Sequence, residues 1–149
     1  MRVTVTLNER ACEKVLRRIG RIITTKAREL VPKDEGRLRD SIDYKVEGTT
    51  VTVYTPLEYA WVMEYGRQPG RMPPVEPLRE WAKRHGLEGK EWAIAKKIQR
   101  EGIKAGTVEN PVVTPTGQRP FLRPAVYQSI PFILRELKKN LESKTQEIR

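Results

Sequence analysis

Residues 8–30 read NERACEKVLRRIGRIITTKAREL. Cys12, Val15, Leu16, Ile19, Ile22, Ile23, Ala27 and Leu30 recur at helical spacing and fill one arc at about 100° per residue, while Lys14, Arg17, Arg18, Arg21 and Arg28 fill the opposite arc. Asn8 is a good N-cap with Glu9 in the first turn, and Pro32 ends the helix near Val31 because it cannot donate a hydrogen bond and restricts the residue before it. Upstream, Val3, Val5 and Leu7 alternate with Arg2, Thr4 and Thr6, the period of a half-buried strand. Downstream, Ile42, Tyr44 and Val46, then Val51 and Val53, alternate with polar residues on either side of Glu47-Gly48-Thr49, which predicts an antiparallel hairpin. A small sheet under one long helix follows.

The stretch 31–42, VPKDEGRLRDSI, has turn formers at its start and two apolar anchors, Leu38 and Ile42, so it reads as an ordered loop with one helical turn. Tyr59, Ala60, Trp61, Val62, Met63, Glu64 and Tyr65 are short and mixed in spacing, and a helix stopped by Gly66 is preferred over a strand. Residues 66–74, GRQPGRMPP, cannot be regular structure. Two short helices come next, one built on Leu78, Trp81 and Ala82 and closed by Gly86, the other on Trp92, Ala93, Ala95 and Ile98 before Gly102. Residues 103–118, with Gly106, Pro111, Pro115 and Gly117, form a long connection, expected like the loop at 66–74 to order only against neighbouring subunits. From Pro120 onward, Leu122, Val126, Ile130, Ile133, Leu134, Leu137 and Leu141 predict a last helix facing the core. A kink or break is expected at Pro131, and a fraying tail at 142–149. The fold class is therefore α+β in one domain over 1–149, a small antiparallel sheet packed by the N-terminal and C-terminal helices with a two-helix excursion at 75–102.

Composition bounds the chemistry. The chain of 149 residues carries Lys+Arg 29 against Asp+Glu 19, a net charge of +10, so its neighbour is expected to be a polyanion or an acidic protein surface. Cys12, the single cysteine, excludes an internal disulfide, and His85, the single histidine, argues against a zinc site within one chain. No apolar run approaches the ~18 residues of a membrane span, and the first residues lack the apolar core of a signal peptide. A soluble product of a reducing cytoplasm is the expectation.

The candidate catalytic residues each have a simpler role. Cys12 falls in the apolar arc, where a free cysteine packs as a small hydrophobe. His85 ends a helix, where an imidazolium is favoured by the dipole. Asp34, Glu35, Asp40 and Asp43 could gather a magnesium ion for phosphodiester cleavage, yet they are interleaved with Lys33, Arg37 and Arg39, which favours local ion pairs. Gly66 and Gly70 lack the Gly-Lys-Ser/Thr ending of a phosphate cradle. No catalytic residue, metal or cofactor is assigned. The basic arc of Lys14, Arg17, Arg18, Arg21 and Arg28 is the stronger signal, since its cations have almost no intervening acid, unlike a merely solvated face. It suits either DNA phosphates or an acidic partner, and no zinc finger, helix-turn-helix or RNA-binding signature accompanies it.

Three segments, in order, resemble a family. Residues 31–42 look like the Val-Pro-x-Asp-Thr-Gly-x-Leu-Arg-x-Ser-Ile signature of the HK97-like tailed-phage tail-component family, the neck or head–tail joining proteins; Pro32, Asp34, Gly36, Leu38, Arg39 and Ser41 carry it. Tyr59, Ala60, Glu64, Tyr65 and Gly66 match its Tyr-Ala-x-x-x-Glu-Phe/Tyr-Gly segment, and Arg119, Pro120, Phe121, Leu122, Arg123, Pro124 and Ala125 match its Arg-Pro-Phe-Leu-Arg-Pro-Ala segment. Glu35 stands where the family usually has Thr, and residues 105–118 lengthen a connection that is commonly short. The resemblance implies a non-enzymatic virion protein that assembles as a homo-oligomeric ring at the neck, contacts other neck and tail proteins, and lines the path of the double-stranded genome. In that setting Gly36 lets the loop turn with positive φ, Tyr59, Trp61 and Tyr65 offer interface area, and Phe121 packs in the core. A basic nucleic-acid-binding protein acting alone and a small metal-dependent phage nuclease are the readings from other classes.

Overall fold

Three strands, β1 (Arg2–Thr6), β2 (Asp43–Glu47) and β3 (Thr50–Tyr54), form an antiparallel sheet in the order β1-β3-β2. The register explains why the hydrophobic pattern works. Val3, Val53 and Tyr44 stand side by side across the sheet, as do Val5, Val51 and Val46, so one face is a continuous apolar floor. The other face carries Thr4, Thr52 and Lys45 in one row and Thr6, Thr50 and Glu47 in the next. The structure, a computed structural model, describes residues 1–7, 13–31, 36–104 and 120–147, with side chains described as far as residue 142.

On the apolar floor lies α1 (Glu13–Leu30), which buries Leu16, Ile19, Ile23 and Ala27 as its periodicity predicts. Leu30 is only half-buried at the edge of the same cluster. A residue that hydrophobicity alone passes over sets the approach of helix to sheet. Gly20 is buried against the ring of Tyr44, and a Cβ at that position would overlap the ring atoms. Glycine in mid-helix costs up to about 1 kcal/mol relative to alanine, and here that cost buys close packing of α1 on β2.

The loop after α1 turns at Gly36, with φ 78°, into α2 (Arg37–Ser41), and Leu38 and Ile42 anchor it in the core. After the hairpin comes α3 (Ala60–Tyr65), stopped by Gly66 at φ 72°. Then α4 (Val75–Arg84) and α5 (Glu91–Glu101) pack on each other around Ala82 and Ala95, outside the main core cluster. The loop at 66–74 does not wait for a neighbouring subunit to order it. Arg67 and Ile103 exchange two backbone hydrogen bonds, 2.8 and 2.7 Å, and the Gly70 amide donates to the Gln99 carbonyl at 2.7 Å. Backbone polar groups that would otherwise be orphaned are thus paired within the chain.

The last helix, α6 (Leu122–Glu147), packs along α1 and corrects the sequence reading in two ways. It runs unbroken through Pro131 and beyond Leu141. Pro131 deprives only the Tyr127 carbonyl of its helical donor, and Tyr127, Ile130, Pro131 and Phe132 are all exposed, so water can serve that acceptor. Second, Ile130, Leu134 and Leu141 do not face the core; Leu134 is 60% and Leu141 52% exposed. Among the described residues of that apolar arc only Leu122 and Ile133 are buried, with Val126 and Leu137 partly so, beside the buried Pro124, Ala125 and Ser129, because α1 offers a strip narrower than the apolar arc of α6. The expected N-cap Asn8, Cys12, the segment Pro32, Lys33, Asp34 and Glu35, and residues 105–119 including Arg119 lie outside the described residues.

Two substitutions test this packing by urea denaturation. Ile133→Ala should cost about 2–5 kcal/mol as a core truncation, whereas Leu134→Ala, one residue on, should stay within about 0.5 kcal/mol in the isolated chain. Gly20→Ala should destabilise by about 1–3 kcal/mol despite the better helix propensity, and adding Tyr44→Ala should recover part of that loss.

Candidate interaction surface

Glu64 is the residue whose environment the sequence least prepares one for. It sits on α3 with no solvent exposure, in a cluster of apolar side chains. A buried carboxylate is costly unless its charge is matched by hydrogen bonds. Its Oε2 accepts from the backbone amides of Phe121 and Leu122 at 2.8 and 2.9 Å, and its Oε1 from the Arg123 amide and Arg123 Nε, both at 2.9 Å.

Those amides are the open end of α6. A helix leaves its first four N–H groups without intrahelical partners, and an N-terminal anion also meets the positive end of the dipole. In the first turn of α6 there is no acid. Glu64 takes the donors of Phe121, Leu122 and Arg123; Pro124 has no N–H to satisfy; and the Ala125 amide already reaches the Phe121 carbonyl at 3.1 Å. Each donor at this end is thereby accounted for. Pro120, Phe121, Leu122 and Pro124 are all buried around it. The Arg-Pro-Phe-Leu-Arg-Pro-Ala and Tyr-Ala-x-x-x-Glu-Tyr-Gly segments, far apart in sequence, are thus two halves of one joint.

The joint emerges at the surface as a stack. Arg123 donates a further hydrogen bond to the Glu64 carbonyl at 2.9 Å, and its guanidinium lies 4.5 Å from the centroid of the Tyr65 ring. Tyr65 in turn stacks on Trp61, centroids 5.2 Å apart. Both rings are about half exposed, as is Tyr59. A cation held over an aromatic face adds attraction beyond contact area, so the exposed pair is braced from below by a fixed charge. Along α6 the exposed Tyr127, Ile130, Leu134 and Leu141 extend the apolar character of this side of the molecule.

The basic arc lies on α1. Its charges are less isolated than the sequence suggests, because partners come from outside the arc: Arg17 pairs with Glu13 and Arg18 with Glu136, each at 2.7 Å. Arg28 donates to the Ile42 carbonyl at 2.7 Å and so ties α1 to the start of β2. Lys14 and Arg21 are exposed. The hydrogen bond from Arg18 holds the Glu136 carboxyl below its ordinary range. In the stretch that could have held magnesium, Asp40 pairs with Arg39 and Asp43 accepts from the Tyr44 amide, and no cluster of metal-ligating side chains occurs among the described residues. His85 closes α4 with its ring Nδ1 2.8 Å from the Trp81 carbonyl. Ser41 donates to the Leu38 carbonyl and contacts the Thr55 hydroxyl at 2.7 Å, so it serves the loop's own structure.

Sequence reasoning placed Glu64 and Ser41 in motifs without roles, while the core packing expected of Phe121 and the local ion pairing expected of Arg39 are both seen. The signal for Glu64 was present: one acid in the run Ala60-Trp61-Val62-Met63-Glu64-Tyr65, and a helix start without an acid of its own.

Glu64→Gln should cost about 3–5 kcal/mol, as removal of one partner from a buried charge pair does, with amide exchange at residues 121–123 rising before the rest of α6. Arg18→Gln should move the titration of Glu136, followed by NMR, back up toward 4.5. Because that carboxyl is depressed in the folded chain, any stability from the pair is present near neutrality and is lost as pH falls through its lowered value.

Comparison with known proteins covers the front of the chain. Residues 3–66 match the HK97-gp10-like family model, described as "Bacteriophage HK97-gp10, putative tail-component". The matched stretch holds the sheet except the first residue of β1, together with α1, α2 and α3, and ends directly after Glu64 and Tyr65. No curated protein and no solved structure gives a significant match. The first two segments of the resemblance fall within the matched residues, the third beyond them, and over residues 3–66 the chain is similar to the bacteriophage tail components of the HK97-gp10-like family.

Proposed function

We propose that this chain is a structural virion protein, a ring-forming subunit of the phage neck that joins capsid to tail. The observation that carries the reading is the match of residues 3–66 to a tail-component family. The surface supports it. Trp61 and Tyr65, stacked and braced by Arg123, together with Tyr59 and the outward residues of α6, are large apolar side chains left in solvent by the isolated chain, and exposed apolar area of this kind marks association surfaces. The buried ends of those same helices are joined by the Glu64 hydrogen bonds, so the contact side chains are pre-positioned.

In this reading the protein acts without catalysis or cofactor, alongside other neck and tail proteins, and resides in the virion. The α1 cations meet an acidic partner or, non-specifically, the passing double-stranded DNA. No helix among the described residues is long and apolar enough to cross a membrane.

The test is genetic and biochemical together. Phage lacking this protein should yield filled heads and separate tails, and purified protein should restore joining in vitro. Trp61→Ser with Tyr65→Ser should leave the unfolding midpoint near wild type while abolishing ring formation by native mass spectrometry. Arg17, Arg18 and Arg21 changed together to Gln should weaken joining more at low salt than at high, since exposed charge contacts are screened over roughly 8–10 Å at physiological ionic strength. Normal joined particles without the protein would refute the assignment, and tight binding of DNA by a monomer would favour a nucleic-acid-binding protein.

A further inference from the structure

Along the seam between α1 and α6 the surface opens into a groove of about 460 Å³. Ile22 and Phe132 line it with apolar surface, and Arg18, Arg21 and Lys26 line it with charge. Phe132 is half exposed, and the guanidinium of Arg135 stands 5.8 Å from its ring centroid. An exposed phenyl ring therefore shares the groove with three cations and one acid, Glu29, and has a fourth cation, Arg135, near its face. Arg18 and Lys26 already hold Glu136 and Glu29, at 2.7 and 3.0 Å, but Arg21 pairs with no described acid. The chain as a whole carries the same excess, with a net charge of +10.

We propose that this groove docks an acidic amphipathic segment of a partner protein, which seats apolar side chains on Ile22 and Phe132 and sets carboxylates against Arg18, Arg21 and Lys26. The proposal names the partner chemistry for the assembly described above and rests on that reading for the partner's existence. Two features select a protein segment over nucleic acid. Duplex phosphates would use the cations alone and leave the phenyl ring in water, since affinity for a duplex comes chiefly from phosphate contacts. A single strand is held by successive aromatic platforms, whereas this groove offers one ring beside an aliphatic side chain. The volume fits a few side chains. Glu136 and Glu29 occupy sites that incoming acids can share, because the Arg18 guanidinium has five donors and the Lys26 ammonium three, and each can serve more than one carboxylate.

The test uses the intact chain and fluorescence anisotropy with three labelled probes: a short helical peptide with Glu on one face and Leu and Phe on the other, the same peptide with both apolar residues replaced by Gln, and an oligothymidylate of equal charge. The first peptide should bind saturably, and the second about tenfold more weakly, the loss of a buried anchor. Phe132→Ser and Arg21→Glu, both at exposed positions, should each weaken the first peptide about tenfold without moving the unfolding midpoint, while Leu134→Ser, outside the groove, should not. Equal binding of the two peptides, no effect of Phe132→Ser, preferential binding of the oligothymidylate, or no saturable binding would each overturn the proposal. Incorporation of the protein into virions is measured separately, so failure of the groove and failure of the tail-component reading remain distinguishable.

Discussion

The carboxylate of Glu64 at the amino end of α6 is the constraint on which the arrangement depends. Few interactions fix so many things at once. Its burial requires that α3 sit against the first turn of α6, which places Phe121 and Leu122 in the core and so sets where α6 begins its run along α1. Charge, dipole and backbone donors all favour the same geometry, and no combination of apolar contacts would specify it as tightly. Hydrophobic burial is non-directional and tolerates sliding, whereas four hydrogen bonds at 2.8–2.9 Å do not.

That joint also has an outer side. Because Arg123 binds both Glu64 and the face of Tyr65, rigidity at the core is transmitted to side chains in solvent. The two most exposed aromatic groups of α3 are held in a stacked arrangement before any partner arrives, and the entropy of ordering them is spent in folding rather than in association. The groove between α1 and α6 is organised differently. It combines apolar surface from Ile22 and Phe132 with long cationic side chains, a surface suited to partners that vary in detail.

Much of the fold was legible. The strand alternation at Val3 and Val5, the arc of Leu16, Ile19, Ile23 and Ala27, and the glycine stops at Gly66 and Gly102 each have a local cause, and local causes leave periodic or compositional traces. What escaped was non-local. Ile130 and Ile133 belong to the same apolar arc of α6, yet one is in solvent and the other inside, a distinction decided by the width of α1 rather than by α6. Gly20 reads as a weak helix residue until Tyr44 is seen beneath it. Glu13 and Glu136 temper a basic arc that appears unrelieved when only the arc itself is considered. In the interaction surface the aromatics were visible as exposed area in waiting; for the cap the sequence held only two separate signs, a lone acid at Glu64 and an acid-free helix start at residue 122, and nothing local joins them across so many residues.

Among the described residues, the Arg67–Ile103 bridge closes the path out to α4 and α5 and back. At that point Gly102, with φ 69°, leaves no room for a side chain: a Cβ would collide with the Arg67 carbonyl and crowd Pro69. The chain thus leaves the body and returns to it through a clasp one backbone pair wide, and the family match ends one residue before the clasp. Topologically the helical pair is a parenthesis. Among the described residues its two helices pack chiefly on each other, so this branch of the chain is free to diverge, grow or shrink without requiring a compensating change in the core that carries it.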